Sequence, residues 1–296
     1  MKVEISQARE VPLRVVLESA AKALAEGGIG NSRLDAELLM AAALNTGRTN
    51  VIAGAVELSS EGLTRFGELI ARRAEREPLA YILGRKEFFS IEFEVTPAVL
   101  IPRPETEILV GAALEAAARR PDCAVLDLGT GSGAIALALA ANEPRIRIVA
   151  TDVSKEALEI ARRNAVRLGL GDRIEFRLGD CWAALGVSDR LVSDRFDLVV
   201  SNPPYIEDRE LDGLEPEVAR FEPRLALAGG IDGLDFYRRI CARIGDYLKS
   251  GGELMVEVGA GQAVRVEALC RSVGCAETIL IEDLAGWPRV VVARFN

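Results

Sequence analysis

The sequence predicts an α/β fold, a mostly parallel sheet with helices on both faces, preceded by a small all-helical region. Three observations carry that expectation. From Ala124 onward, short apolar strands alternate with helical stretches, as in a doubly wound sheet. The first strand meets its helix through a glycine-rich loop, "DLGTGSG" at Asp127 to Gly133. Residues 1–83 show helical spacing and no strand pattern.

The 296 residues fit about two domains. Leu13, Val16, Leu17, Ala20 and Leu24 recur at helical spacing, and Gly27-Gly28 closes that run. "NSRLDAELLMAAAL" begins a second helix, with Ser32 as the expected N-cap and Asp35 three residues on, a capping-box-like start. A third begins near Ser59-Ser60, places Leu63, Phe66 and Ile70 on one face, and stops before Pro78. The cluster "ARRAERE", Ala71 to Glu77, reads as a solvated face whose acids nearly balance its arginines. None of these segments holds a catalytic constellation.

Between residues 84 and 107 the pattern changes. Phe89, Ile91, Phe93 and Val95 alternate with polar neighbours, which predicts a strand or hairpin. "IPRPETE" then sets two prolines around Arg103, fixing a loop ahead of a helix that runs to about Arg120. The expected organisation is a helical domain over 1–83, a hairpin bridge over 84–107 and an α/β domain over 108–296. In that last part the strands are "AVLDLG", "IRIVATD", "RIEFRLGD", "FDLVVSN" and "GELMVEVG". Two closing strands, "AETILIED" and "RVVVARF", have no helix between them and must pair antiparallel.

Composition excludes several classes. Net charge is −9, and no basic surplus marks a grip on phosphates, so a protein or small-molecule partner is expected and direct nucleic-acid binding is not. The chain has no histidine, which removes imidazole zinc sites and every Ser-His or Cys-His nucleophile. Five cysteines with no CxxC spacing do not form a disulfide framework. No apolar run approaches the roughly 18 residues of a membrane span, and "MKVEISQARE" lacks the form of a leader. A cytoplasmic, monomeric protein without membrane contact is expected.

The chemistry-bearing residues fall at strand ends. Gly129, Gly131 and Gly133, with Thr130 and Ser132 between them, let backbone pass close to a ligand and turn into a helix. Asp152 ends the second strand, where a carboxylate can accept hydrogen bonds from ribose hydroxyls. Gly129-x-Gly131-x-x-Ala134 also satisfies the loose dinucleotide pattern, so a nicotinamide enzyme stays open at this point. "GDCW" ends the third strand with Asp180, Cys181 and Trp182, placed to meet an adenine or to form an ordinary turn. The fourth strand delivers Asn202-Pro203-Pro204-Tyr205, whose prolines freeze the backbone and hold Asn202 out of the helical region. Ligands in open α/β sheets bind beyond the carboxyl ends of the strands, so Asp127, the glycine loop, Asp152, Asp180 and Asn202 should share one crevice.

"DLGTGSG" followed by "NPPY" resembles the class I methyltransferases that use S-adenosylmethionine to methylate nitrogen. The flanking "IPRPETE", "RFEPRLALAGGIDGLDFYRRI" and "DLAGWPRVVVAR" resemble the HemK/PrmC family, which methylates a glutamine side chain in peptide chain release factors. The likeness is close from about residue 80 onward and looser before it, where "NSRLDAELLM" fits that family's release-factor-binding domain. It implies a class I, Rossmann-like sheet joined by a hairpin to the helical domain. It also implies S-adenosylmethionine as cofactor, giving S-adenosylhomocysteine, and the glutamine of a Gly-Gly-Gln motif as target. Cofactor binding would then fall to Asp127, Gly129, Thr130, Gly131, Ser132, Gly133, Asp152, Asp180, Cys181, Trp182 and Asn202. Asn202, Pro203, Pro204 and Tyr205 would bind the substrate, with Asn202, Pro203 and Tyr205 acting in catalysis. After Asp180 this family commonly places a bulky aromatic; here Cys181 precedes Trp182, so either the aromatic has moved one place or Cys181 contributes backbone alone.

That chemistry explains the residue types. An amide nitrogen is a poor nucleophile because its lone pair is delocalised into the carbonyl. The Asn202 side-chain oxygen and the Pro203 carbonyl can each accept one N–H of a substrate amide, aiming it and favouring a transition state in which the nitrogen turns more positive. Tyr205 can pack on the amide plane and exclude water. No strong base is required, in keeping with the absence of histidine. Two relatives of the motif stay open: a glutamine methyltransferase acting on a ribosomal protein, and enzymes that methylate nucleic-acid amines.

Overall fold

The computed structural model describes residues 12–185 and 195–296. The leading segment tested above for a leader pattern, residues 1–11, lies outside the described residues. The chain divides into two compact units, Met1–Leu83 and Gly84–Asn296.

The first unit is helical: α1 (Leu13–Glu26), α2 (Ser32–Ala43), α3 (Arg48–Ile52), α4 (Ser60–Ala74) and α5 (Leu79–Leu83). Leu24, Leu39 and Met40 are fully buried at its centre. Ser59 caps α4 by accepting the Gly62 N–H at 3.0 Å. The expected cap of α2 is displaced: Asn31 precedes the helix, Ser32 is its first residue, and no side chain caps it. Asp35 instead turns inward and accepts a hydrogen bond from Arg73 Nε at 2.8 Å, both side chains being buried. The cluster at 71–77 is therefore only partly a solvated face, because Arg73 serves the core while Arg72 pairs with Glu77 outside.

The second unit opens with a hairpin, β1 (Arg85–Phe88) and β2 (Ile91–Glu94). It reverses at Phe89 and Ser90, both left-handed, with φ of 50° and 60°. This reversal breaks the expected alternation: Phe88 and Phe93 form the buried pair, edge to face at 6.0 Å, and Phe89 is only half-buried. There follow α6 (Thr106–Ala118), β3 (Ala124–Leu128), α7 (Ala134–Asn142), β4 (Arg147–Asp152), α8 (Lys155–Arg167), β5 (Ile174–Leu178) and β6 (Phe196–Ser201). The unit ends with α9 (Pro216–Phe221), α10 (Asp235–Tyr247), β7 (Leu248–Glu257), α11 (Ala263–Ser272), β8 (Glu277–Glu282) and β9 (Pro288–Arg294).

Seven strands form one sheet in the order β5-β4-β3-β6-β7-β9-β8. The first five are mutually parallel, and β9 runs antiparallel to both of its neighbours. Successive residues of β3 serve opposite faces: Val125 packs with α6 and α7, Leu126 with α10 and α11. The connection reverses direction between β3 and β6, so their carboxyl ends open a crevice at the topological switch point.

Candidate active site

The glycine loop is folded on its own strands. The N–H groups of Gly129 and Thr130 both reach the Thr151 carbonyl at 2.9 Å, which fastens the loop to β4. Gly131 donates its N–H to Asp152 Oδ2 at 2.8 Å, and Asp152 Oδ1 accepts the Ser154 N–H at 2.9 Å. Gly131 has φ of 57°, and its α-carbon faces open space, so the need for glycine there is conformational. Gly133 is needed twice over, because a Cβ on its left-handed backbone would stand 3.3 Å from Ala161 Cβ and 2.9 Å from Leu137 Cδ1.

A cavity of about 300 Å³ lies against this loop. Of the residues expected from the sequence, Gly129, Gly131, Asp152, Asp180, Cys181, Asn202 and Pro204 border it. Asp127, Thr130, Ser132, Gly133, Pro203 and Tyr205 are not among its lining residues. Asp127 is fully buried and takes the Thr130 hydroxyl proton on Oδ2 at 2.7 Å, while its Oδ1 has no partner of full hydrogen-bond geometry. Ser132 is buried, with its carbonyl occupied by Asn164 Nδ2 at 2.9 Å.

Of the two residues the sequence left open after Asp180, Cys181 borders the cavity and Trp182 is not among its lining. The Trp182 ring stacks on Tyr247 at 4.5 Å with planes 2° apart, and its Nε1 donates to the Arg239 carbonyl at 2.9 Å. The ring belongs to the core beneath α10. Cys181, left-handed at φ 52°, takes the place at the cavity wall. Asp180 Oδ1 is held by Arg239 Nη2 at 2.5 Å. Val153, Phe236 and Arg239 are among the lining residues that escaped sequence reading. Val153 could have been found as an apolar residue directly after a strand-ending acid; it remains 46% exposed. Phe236 reads like any core position of an amphipathic helix.

At the other end of the crevice, Ser201 Oγ donates to the Leu128 carbonyl at 2.7 Å and locks β6 to β3. Asn202 Nδ2 donates to Thr106 Oγ1 at 3.1 Å, and Thr106 Oγ1 donates to Glu257 Oε2 at 2.6 Å. The segment after the prolines is held by a glycine-rich return. Ile206 N–H reaches the Leu227 carbonyl at 3.0 Å, and Gly229 N–H reaches the Ile206 carbonyl at 2.8 Å. Gln262 Nε2 donates to the Tyr205 carbonyl at 2.8 Å. Arg103 and Glu222 fix loops, as their pairing at 2.6 Å shows, and Glu222 also accepts the Ile101 N–H.

Burial dominates the electrostatics. It pushes the Asp127 carboxyl up to about 7, against hydrogen bonding from Thr130 and the Ala136 N–H. Desolvation likewise raises Asp152, which three backbone N–H groups pull back, and brings Glu257 to about 7. Tyr205 is pushed up to about 12 and stays a neutral phenol.

A seven-stranded, mostly parallel sheet with a glycine loop and a ligand-sized crevice at its switch point defines a Rossmann-like, class I methyltransferase domain. A methyltransferase-domain family model matches residues 119–278, and a PrmC N-terminal domain model matches residues 16–84. A release factor glutamine methyltransferase of Geobacter sulfurreducens is 45% identical over 96% of this chain and 97% of its own. Its counterpart in Caulobacter vibrioides is 43% identical over 92% and 93%. A crystal structure of a methyltransferase from Pyrococcus furiosus, 20% identical, shares the fold with a TM-score of 0.51 over 76% of this chain and 98% of that one. The chain belongs to the release factor glutamine methyltransferase family. Its methyl donor is S-adenosylmethionine, and the dinucleotide pattern in the glycine loop has no further claim. The crevice fits that donor: carboxylates of Asp152 and Asp180 border it, suited to a cationic ligand with ribose hydroxyls. Asp152 accepts from the backbone on both oxygens, Gly131 N–H on Oδ2 and Ser154 N–H on Oδ1, and an ionised carboxylate has about four acceptor positions in all.

Proposed function

We propose that the protein methylates the side-chain amide nitrogen of a glutamine in peptide chain release factors. The observation that carries this reading is Asn202, half-buried at the end of β6 and bordering the same cavity as Gly131 and Asp152. When bound, the cofactor supplies a methyl group already activated on sulfonium, so the protein's task is mainly to aim the acceptor. Asn202 Oδ1 and the Pro203 carbonyl accept the two amide N–H groups. Tyr205, a neutral phenol that burial pushes still further from ionisation, packs on the amide plane and excludes water. Asp152 holds the ribose, and Asp180 with Cys181 lines the adenine side; Asp127 acts from behind by closing the glycine loop through Thr130. The proton leaves to solvent once the nitrogen is methylated.

The helical unit supplies release-factor contact in this reading, since one glutamine must be chosen among many and standard recognition buries about 1,200–2,000 Å². The protein acts as a monomer, and its net charge of −9 suits a protein target better than nucleic acid. Incubation of purified enzyme with a release factor and labelled S-adenosylmethionine, followed by peptide mass spectrometry, tests the proposal. One added methyl on the glutamine of the Gly-Gly-Gln motif is expected, and an unmodified release factor would refute it.

A further inference from the structure

The side-chain amide of Asn202 poses a problem that shape alone does not solve. Its oxygen and nitrogen ends are nearly the same size, yet only the oxygen can accept an N–H from a substrate amide. A flipped side chain would point donors at donors. Something must distinguish the two ends.

We propose that Glu257, acting through Thr106, fixes which end of the Asn202 amide faces the crevice. The three residues come from different elements: Asn202 follows β6, Thr106 opens α6, and Glu257 closes β7. A hydroxyl can donate or accept, so Thr106 by itself is indifferent to the orientation of Asn202. An ionised carboxylate only accepts. With Glu257 Oε2 at 2.6 Å taking the Thr106 proton, Thr106 Oγ1 can offer only a lone pair to Asn202, and that selects Nδ2 at 3.1 Å. Oδ1 is left as the end available to the cavity that Asn202 borders. Thr106 and Glu257 are almost wholly buried, so water does not compete for these bonds. Both are positioning residues, and their proposed role rests on the amide-methylation reading above.

The chain of bonds has a built-in polarity switch. A protonated Glu257 could itself donate to Thr106, freeing the threonine proton to swing toward Asn202 and accommodate the flipped amide. Burial pushes this carboxyl up to about 7. Glu105 raises it further, and Arg289 and Arg103 oppose both effects. The remaining groups that face it, Tyr205 and Tyr237, are buried phenols raised above their usual range, and Tyr237 donates to the Glu257 carbonyl at 2.8 Å. Loss of the proton with rising pH should therefore switch the amide to its productive orientation.

The test uses full-length enzyme with saturating cofactor and a release factor. Wild-type kcat should rise with pH through a midpoint near 7, whereas Glu257→Gln should be slower by about tenfold and lack that limb. Thr106→Val should lower kcat by about ten- to a hundredfold, with KM and cofactor Kd changed less than about threefold, and Thr106→Ser should restore most of the loss. Wild-type kcat in Thr106→Val would overturn the proposal, as would an intact acid limb in Glu257→Gln or a loss shared equally by cofactor Kd. If the valine variant melts early, the serine and glutamine variants decide the matter. A substrate-free reading separates this proposal from the choice of substrate: the Asn202 side-chain NH2 signal should titrate near pH 7 in the wild type and not in Glu257→Gln. An identical titration in both would refute the relay even if release-factor methylation stands.

Discussion

Asp152 and Gly131 are joined by a 2.8 Å hydrogen bond from the glycine N–H to the carboxylate, so the acid that ends β4 shapes the loop that follows β3. The same side chain anchors Ser154 at the start of α8 and borders the cavity. Asp152→Ala should weaken S-adenosylmethionine binding by about ten- to a hundredfold, the equivalent of charge-assisted hydrogen bonds worth about 1.5–3 kcal/mol. Calorimetric titration of the folded variant measures it, and wild-type affinity would remove Asp152 from the cofactor site.

The buried carboxyls make stability depend on pH in an unusual sense. Asp127 is raised from 3.8 to about 7, so the folded state holds a proton that the unfolded state releases. Its contribution is fully present below about pH 4 and is lost as pH rises through about 7; Glu257 behaves likewise. The unliganded protein should gain stability as pH falls from about 8 to 6. Asp127→Asn should remove part of that gain and stabilise the protein at pH 8 by about 2 kcal/mol. Thermal denaturation at the two pH values checks the sign, and a pH-independent melting difference between wild type and variant would contradict it.

Asn164 is fully buried and spans two structures. Its Oδ1 accepts the Glu94 N–H at 2.7 Å, while Nδ2 donates to the carbonyls of Glu94 at 3.0 Å and Ser132 at 2.9 Å. The hairpin and the glycine loop thus share one amide. Asn164→Ala leaves these backbone groups unpaired in the interior and should cost about 2–4 kcal/mol in urea unfolding. Cofactor affinity should fall with it, because the loop loses a support.

Residues 1–83 have a hydrophobic core of their own, from Leu17 to Ile82, and among the described residues the two cores of the larger unit draw nothing from them. Deleting 1–83 should therefore leave S-adenosylmethionine binding nearly intact while sharply reducing methylation of whole release factor. A short glutamine peptide should be a poor substrate for both proteins. Full-length rates from the truncated enzyme would make the helical unit purely structural.

The sheet was legible because parallel strands covered on both faces must be apolar almost throughout, as Ala124 to Leu128 and Leu198 to Val200 are. Asn202 to Tyr205 stood out for a related reason, since two prolines cannot continue a ladder and mark where β6 must stop. Trp182 was not legible. An indole after a strand-ending acid looks the same whether it will face a ligand or a core, and its fate is set by Tyr247 on a distant helix. The contact of Thr106 with Glu257 joins residues 151 positions apart, and no local spacing announces it. Asp35 misled for the same reason: its position suits a helix cap, but a long-range arginine offers a buried partner.

The strand order β7-β9-β8 means that the sheet fills its last gap from the inside, with Val290, Val291 and Ala293 wholly buried between older neighbours. A chain broken off between Glu282 and Pro288 would expose two unsatisfied strand edges, those of β7 and β8, flanking an apolar slot. Such edges recruit other chains. Incomplete synthesis should thus yield sticky, insoluble fragments in place of partly active ones, and soluble enzyme should be almost entirely enzyme whose β9 has been made.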